Sequence, residues 1–155
     1  MNFMIAKTIL YESLSHFQSV VEKRNTIPIL SNIKLKTGED KIEITATDLA
    51  IEMSERIDAK IISPGELTLP SQLLFDIIRK IPEKSEIEIK EHKETGRVFI
   101  LFGDSKFSLP FLPSSDFPEM ESENFENNFV ITADKFKYLL AVSYTHLTLP
   151  TMFEV

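Results

Sequence analysis

Ile33-Lys34-Leu35-Lys36-Thr37-Gly38-Glu39-Asp40-Lys41-Ile42-Glu43-Ile44-Thr45 is the stretch that decides the fold class. Ile33 and Leu35 alternate with Lys34 and Lys36, and Ile42 and Ile44 alternate with Glu43 and Thr45. Successive strand side chains point to opposite faces, so each run has one apolar and one polar side. Gly38-Glu39-Asp40 between them has turn composition, and the two runs read as a hairpin. An antiparallel sheet with one buried and one wet face produces this pattern.

On either side, helices alternate with more strands. A leading strand is followed by a helix over Lys7 to Glu22, with Leu10, Leu14, Phe17 and Val21 at a 3.6-residue period and Ile9 and Val20 widening the stripe. Glu22-Lys23-Arg24-Asn25-Thr26 then forms an exposed basic loop before Ile27-Pro28, since a residue preceding proline avoids helix. Beyond the hairpin, Ile51 and Met53 alternate with Glu52 and Ser54, and Leu67 and Leu69 make a short strand. A second helix is expected over Ser71 to Lys80, capped by Ser71, with Leu73, Leu74, Ile77 and Ile78 as its apolar stripe and Pro82 as its stop. Strands return at Ile87 and Ile89, at Arg97–Phe102 and at Ser105–Leu109, the last two joined by Gly103-Asp104. A third helix is expected over Ala133 to Val142, after a strand at Phe129–Thr132. Helix followed by strands occurs twice, so the first unit reads as internally repeated.

The 155 residues are 43% hydrophobic and 26% charged, which describes a folded globular chain. There is no cysteine, so disulfides, thiolate metal sites and thiol nucleophiles are excluded. His16, His92 and His146 show no helical metal-ligand spacing, and no metal or cofactor is expected. No apolar run approaches the ~18 residues of a membrane span, and the start lacks a signal peptide's pattern, so a cytoplasmic location is expected. Four isolated glycines sit at turn positions and none builds a phosphate-cradling loop. The net charge of −7 argues against binding nucleic acid by bulk charge. It leaves room for a local basic face, because residues 1–120 hold 15 of the 17 basic groups.

Two basic pairs fall at helix ends, Lys23-Arg24 and Arg79-Lys80. Either they complement helix dipoles and face solvent, or, with the helices side by side, they form a cationic patch that contacts phosphate. Asp48 reads as a turn residue bonding its own backbone. An enzyme would have to be built on Asp48, Asp76 and His16, for which the sequence supplies no paired carboxylate and no triad partner. Phe102, Phe107, Phe111 and Phe117 cluster around the last hairpin, with Phe107 and Leu109 on one face of its strand. Either they fill the core or, if that strand lies at an edge, they anchor a partner.

Thr26-Ile27-Pro28-Ile29-Leu30-Ser31-Asn32, Thr45-Ala46-Thr47-Asp48-Leu49-Ala50-Ile51-Glu52-Met53, Leu69-Pro70 before the second helix, and Phe107-Ser108-Leu109-Pro110 followed by Asp116-Phe117-Pro118 come in a specific order and spacing. Together they resemble the N-terminal domain of bacterial DNA polymerase III beta subunits, the sliding clamps, over roughly residues 1–142. The resemblance implies an α+β DNA-clamp fold, an antiparallel sheet with two helices on one face. It implies a clamp N-terminal domain at 1–120, a linker at 121–128 and a truncated central domain at 129–142. Residues 143–155 resemble a translated sequencing adapter and are expected to be a non-native tail.

Members of that family catalyse nothing. Three similar domains per chain, two chains head to tail, close a ring around duplex DNA and hold the polymerase on its template. The resemblance places Arg24, with Lys23 beside it, on a DNA-contacting loop. It puts Gln72 where a basic contact is found in the family, and Arg79 and Lys80 on the inner surface. It assigns Lys106, Phe107 and Leu109 to the strand that pairs with the partner subunit, where Asp104 replaces a basic residue seen in some members. The later domains that receive polymerase and clamp-loader peptides, and that close the ring, lie outside this chain. The rival expectation is a stand-alone module that captures a protein with the Phe107 edge strand.

Overall fold

The computed structural model describes residues 1–21, 27–118 and 130–147, with side chains as far as residue 143. The chain divides into two units, Met1–Met120 and Glu121–Val155.

The first unit holds two antiparallel sheets rather than one. Its order is β1 (Asn2–Ala6), α1 (Lys7–Phe17), β2 (Asn32–Thr37), β3 (Lys41–Thr47), β4 (Glu52–Asp58), β5 (Lys60–Ser63), β6 (Glu66–Pro70), α2 (Ser71–Lys80), β7 (Glu86–His92), β8 (Arg97–Phe102) and β9 (Ser105–Pro110). The first sheet runs β5-β1-β7-β8-β9 and the second β4-β3-β2-β6. The repeat seen in the sequence thereby acquires a topology. Strand-helix-meander occurs as β1-α1-β2-β3-β4 and again as β6-α2-β7-β8-β9, and each meander pairs with the leading strand of the other repeat. Ile5 faces Ile87 across one of these junctions and Leu35 faces Leu67 across the other. Neither repeat completes a sheet alone, so the two fold as one cooperative unit.

On the polar side of the opening hairpin, Lys36 and Lys41 are exposed and Glu43 and Thr45 half-buried, but Lys34, expected on the wet face, is buried. The apolar side does what its period requires: Ile33, Leu35, Ile42 and Ile44 are wholly buried. They join Phe3, Ile5, Leu10, Leu14, Phe17, Leu74, Ile78, Ile87, Ile89, Val98 and Ile100 in one core shared by both sheets and both helices. Each such side chain contributes about 1.5–3 kcal/mol by leaving water. Gly38 N–H donates to the Lys41 carbonyl at 2.7 Å and closes the predicted turn. At the Gly103-Asp104 turn, Gly103 takes φ +50° at the first central position, a conformation glycine adopts without a Cβ clash.

Several boundaries differ from expectation. Helix α1 stops at Phe17 instead of Glu22. Ser15 Oγ donates to the Glu12 carbonyl at 2.6 Å and Ser19 Oγ to the His16 carbonyl at 3.1 Å, so hydroxyls engage the helical acceptors just where the β-branched Val20-Val21 pair follows. Helix α2 has the expected bounds, but Pro70 is its N-cap and Ser71 makes no capping bond; Ser71 is buried and accepts from Gln18 Nε2 at 3.4 Å. Ile9 and Leu73, expected in apolar stripes, are 39% and 51% exposed. The short strand β5 carries no alternation long enough to announce it.

The expected aromatic cluster is split. Phe102 and Phe107 stack at 5.9 Å and Phe111 packs on the main core, whereas Phe117 joins Ile29 and Leu30 in a separate small cluster. In the second unit, α3 spans Ala133–Leu147, five residues past the expected end at Val142. Val130–Thr132 are not in a strand, and Phe129, like the linker at 121–128 and residues 148–155, lies outside the described residues.

Candidate nucleic-acid face and edge strand

Helices α1 and α2 lie side by side in the first unit. Tyr11 of α1 stacks on Phe75 of α2 with ring centroids 5.5 Å apart and planes 19° apart. Cations flank the aromatic pair: Lys7 Nζ sits 4.6 Å from the Tyr11 centroid, and the Arg79 guanidinium carbon 5.8 Å from that of Phe75. The row Lys7, Tyr11, Phe75, Arg79 therefore crosses from one helix to the other, with each cation against the negative face of a ring.

Of the side chains assigned to phosphate, Gln72, Arg79 and Lys80 all lie on α2. Arg79 and Lys80 occupy its last turn, where positive charge complements the helix dipole. Both are exposed. Arg79 is not free: its Nη2 donates to Asp76 Oδ1 at 3.1 Å. Gln72 Nε2 donates to Asp76 Oδ2 at 3.2 Å. One carboxylate thus engages two of the three candidates, and Lys80 makes no ion pair among the described residues. Sequence reading passed over this arrangement, although the i, i+3 and i, i+4 spacings on a helix signal it. Lys23 and Arg24 lie outside the described residues, so neither alternative for the two basic pairs, a shared cationic patch or separate solvent-facing helix ends, is decided for them.

Strand β9 is an edge of its sheet. Leu109 faces Val98 and is buried in the core, while Phe107 faces Ile100 and is 39% exposed at the core's rim. Lys106 projects to the other side, its Nζ 3.7 Å from the Phe99 ring centroid. Just past β9, Leu112 and Thr68 exchange backbone bonds of 3.1 and 3.3 Å, which ties this segment to β6. By the internal repeat, β4 occupies in the second sheet the place β9 holds in the first.

The residues an enzyme would have needed are engaged elsewhere. Asp48 Oδ1 accepts from the backbone N–H groups of Ala50 at 2.9 Å and Ile51 at 2.7 Å, as expected of a turn residue. Those bonds from Ile51 and Ala50 hold its carboxyl below the ordinary carboxylate range. They also brace Leu49 at φ +77°. His16 Nδ1 lies 3.1 Å from Glu55 Oε2, which also accepts from Ser13 Oγ at 3.0 Å, and this pins α1 to β4. Asp76 is taken up by Gln72 and Arg79. Among the described residues no group of three or more His, Asp or Glu is placed to hold a metal ion, and no helix is long and apolar enough to cross a membrane.

Two interlocked strand-helix-meander repeats, with a helix pair and a free edge strand, define an α+β domain of the clamp type. Residues 1–121 match the model of the DNA polymerase III beta subunit, N-terminal domain. The beta sliding clamp of Caulobacter vibrioides is 38% identical over 135 residues, 87% of this chain and 36% of its own length. That of Pseudomonas aeruginosa is 34% identical over 143 residues, 90% of this chain and 38% of its own. Among solved structures, the Caulobacter crescentus sliding clamp superposes with a TM-score of 0.77 at 42% identity, over 80% of this chain and 34% of that one. The Pseudomonas aeruginosa DNA polymerase III beta subunit superposes at 0.86 with 32% identity, over 91% and 38%. This chain belongs to the DNA polymerase III beta subunit family through its N-terminal domain. It spans little more than a third of the relatives it matches, and neither the enzyme nor the stand-alone module is favoured.

Proposed function

We propose that this chain is the N-terminal part of a replication processivity factor. It is a non-catalytic sliding clamp that encircles duplex DNA in the cytoplasm and tethers the replicative polymerase. The observation that carries the reading is the open edge of β9 beside the half-exposed Phe107, within a domain of this family. A strand edge offers unpaired backbone donors and acceptors, which suits addition of a partner subunit's strand. In this reading Phe107 fills an apolar site on the partner, Leu109 fixes the strand from beneath, and Lys106 supplies a cation at the rim of a head-to-tail homodimer. Lys23, Arg24, Gln72, Arg79 and Lys80 face the duplex and contact phosphates without reading sequence, as a ring that must slide requires. Polymerase and clamp loader bind through later domains.

The test is topological. The longer protein containing this chain, once loaded, should stay on nicked circular duplex during gel filtration and leave it when the circle is linearised. Equal loss from both forms removes the clamp reading.

A further inference from the structure

We infer that Asp76 is a positioning residue that limits how tightly this domain holds DNA, by keeping Arg79 and Gln72 from phosphate. The inference rests on the reading above, in which α2 faces the duplex. Asp76 Oδ1 accepts from Arg79 Nη2 at 3.1 Å and Oδ2 from Gln72 Nε2 at 3.2 Å, so both carboxylate oxygens serve donors that would otherwise meet phosphate. The Arg79 guanidinium also lies against the Phe75 ring at 5.8 Å. Phe75 is itself held by Tyr11, which fixes the guanidinium on the helix surface. The carboxylate adds a negative charge at the same face, so a phosphate approaching Arg79 meets a guanidinium already paired through Nη2 beside a repelling group. Lys80 keeps its charge at the helix end with no ion pair among the described residues. The face therefore attracts DNA without gripping it. Because Asp76 and Arg79 are both solvent-accessible, the pair is weak enough for a modest change to release it.

The substitution Asp76→Asn removes the charge and keeps the shape. Asp76→Ser does so with a smaller side chain and serves if the amide re-forms a bond to Arg79. The 155-residue chain and its variants are titrated with a mixed-sequence duplex of about 20 base pairs between about 20 and 150 mM NaCl, with binding read by NMR shifts of the α2 amides. The expected result is about three- to five-fold tighter binding at the lowest salt for Asp76→Asn. The slope of log K against log salt should steepen by about one, the signature of one more phosphate contact. In the double variant Asp76→Asn/Arg79→Gln the extra slope should vanish. An unchanged affinity and slope in Asp76→Asn and Asp76→Ser, with the parent chain binding, overturns this inference alone. A gain that survives removal of Arg79 also overturns it, since charge neutralisation then explains everything. If no form of the chain shifts on adding duplex, the assignment of α2 to DNA falls, and this inference with it.

Discussion

Tyr11 on α1 and Phe75 on α2 stack face to face at 5.5 Å, and the contact joins the helices of the two internal repeats. Each ring belongs to a different strand-helix-meander unit, so the stack couples the repeats independently of the strand exchange in the sheets. Replacing both by Leu, singly and together, should reveal a coupling energy of about 0.5–1.5 kcal/mol in a double-mutant cycle. Urea unfolding measures it, and strictly additive losses would show that the rings merely fill space.

Phe107 and Leu109 share a face of β9 but differ in exposure, at 39% and 6%. The substitution Phe107→Asp should leave this chain folded and turn the longer protein from dimer to monomer in sedimentation. Leu109→Asp should instead cost several kcal/mol, at least about 3, because it puts a charge into the core beside Val98. Dimers that persist with Phe107→Asp would remove this strand from the interface.

Asp48 gives a pH signature. Its carboxyl is held below the ordinary 3.8 by the N–H groups of Ile51 and Ala50. A depressed folded-state value means that the ionised form stabilises the fold above 3.8 and that this contribution fades as pH falls through the lowered value. The Tm difference between the parent chain and Asp48→Ala should be constant from neutral pH down to about 5 and shrink at lower pH. A difference that grows on acidification would reverse the assignment.

Gly65 is constrained by space. A Cβ there would meet Met1 Cβ at 3.0 Å, Met1 N at 3.1 Å and Met1 Cα at 3.2 Å. Met1 cannot yield easily, since its amino group pairs with Glu91 Oε2 at 2.7 Å and its carbonyl accepts from Glu91 N at 2.9 Å. Gly65→Ala should therefore destabilise the chain by about 1–3 kcal/mol in thermal or urea unfolding. An alanine variant as stable as the parent would show that the β1 end moves freely.

Local chemistry determined much of this protein. Residues 33–45 announced a half-buried hairpin because alternation has a period of two and the turn residues lie between the runs. The bounds of α2 were legible because its 3.6-residue stripe ends at Ile78, the basic pair Arg79-Lys80 fills the last turn and Pro82 stops the helix. Asp48 declared its turn because an aspartate bonds backbone two and three residues on, whatever surrounds it. The membership of the family was legible too, through motifs that keep order and spacing.

Tertiary structure decided what depends on distant neighbours. Two sheets replaced one because β1 pairs with β7 and β6 with β2, pairings that periodicity cannot name. Leu73 and Leu74 are adjacent on α2, yet Leu73 is 51% exposed and Leu74 wholly buried, since only packing selects which side of a broad apolar stripe meets the core. The same holds for Phe107 and Leu109, which alternation places together and the extent of the core separates. Arg79 shows the boundary most directly. Its charge was readable from the sequence, but its availability was decided by a carboxylate one turn away and a ring held by another helix. A period sets which residues share a face, whereas exposure and pairing are properties of whatever the fold brings against that face.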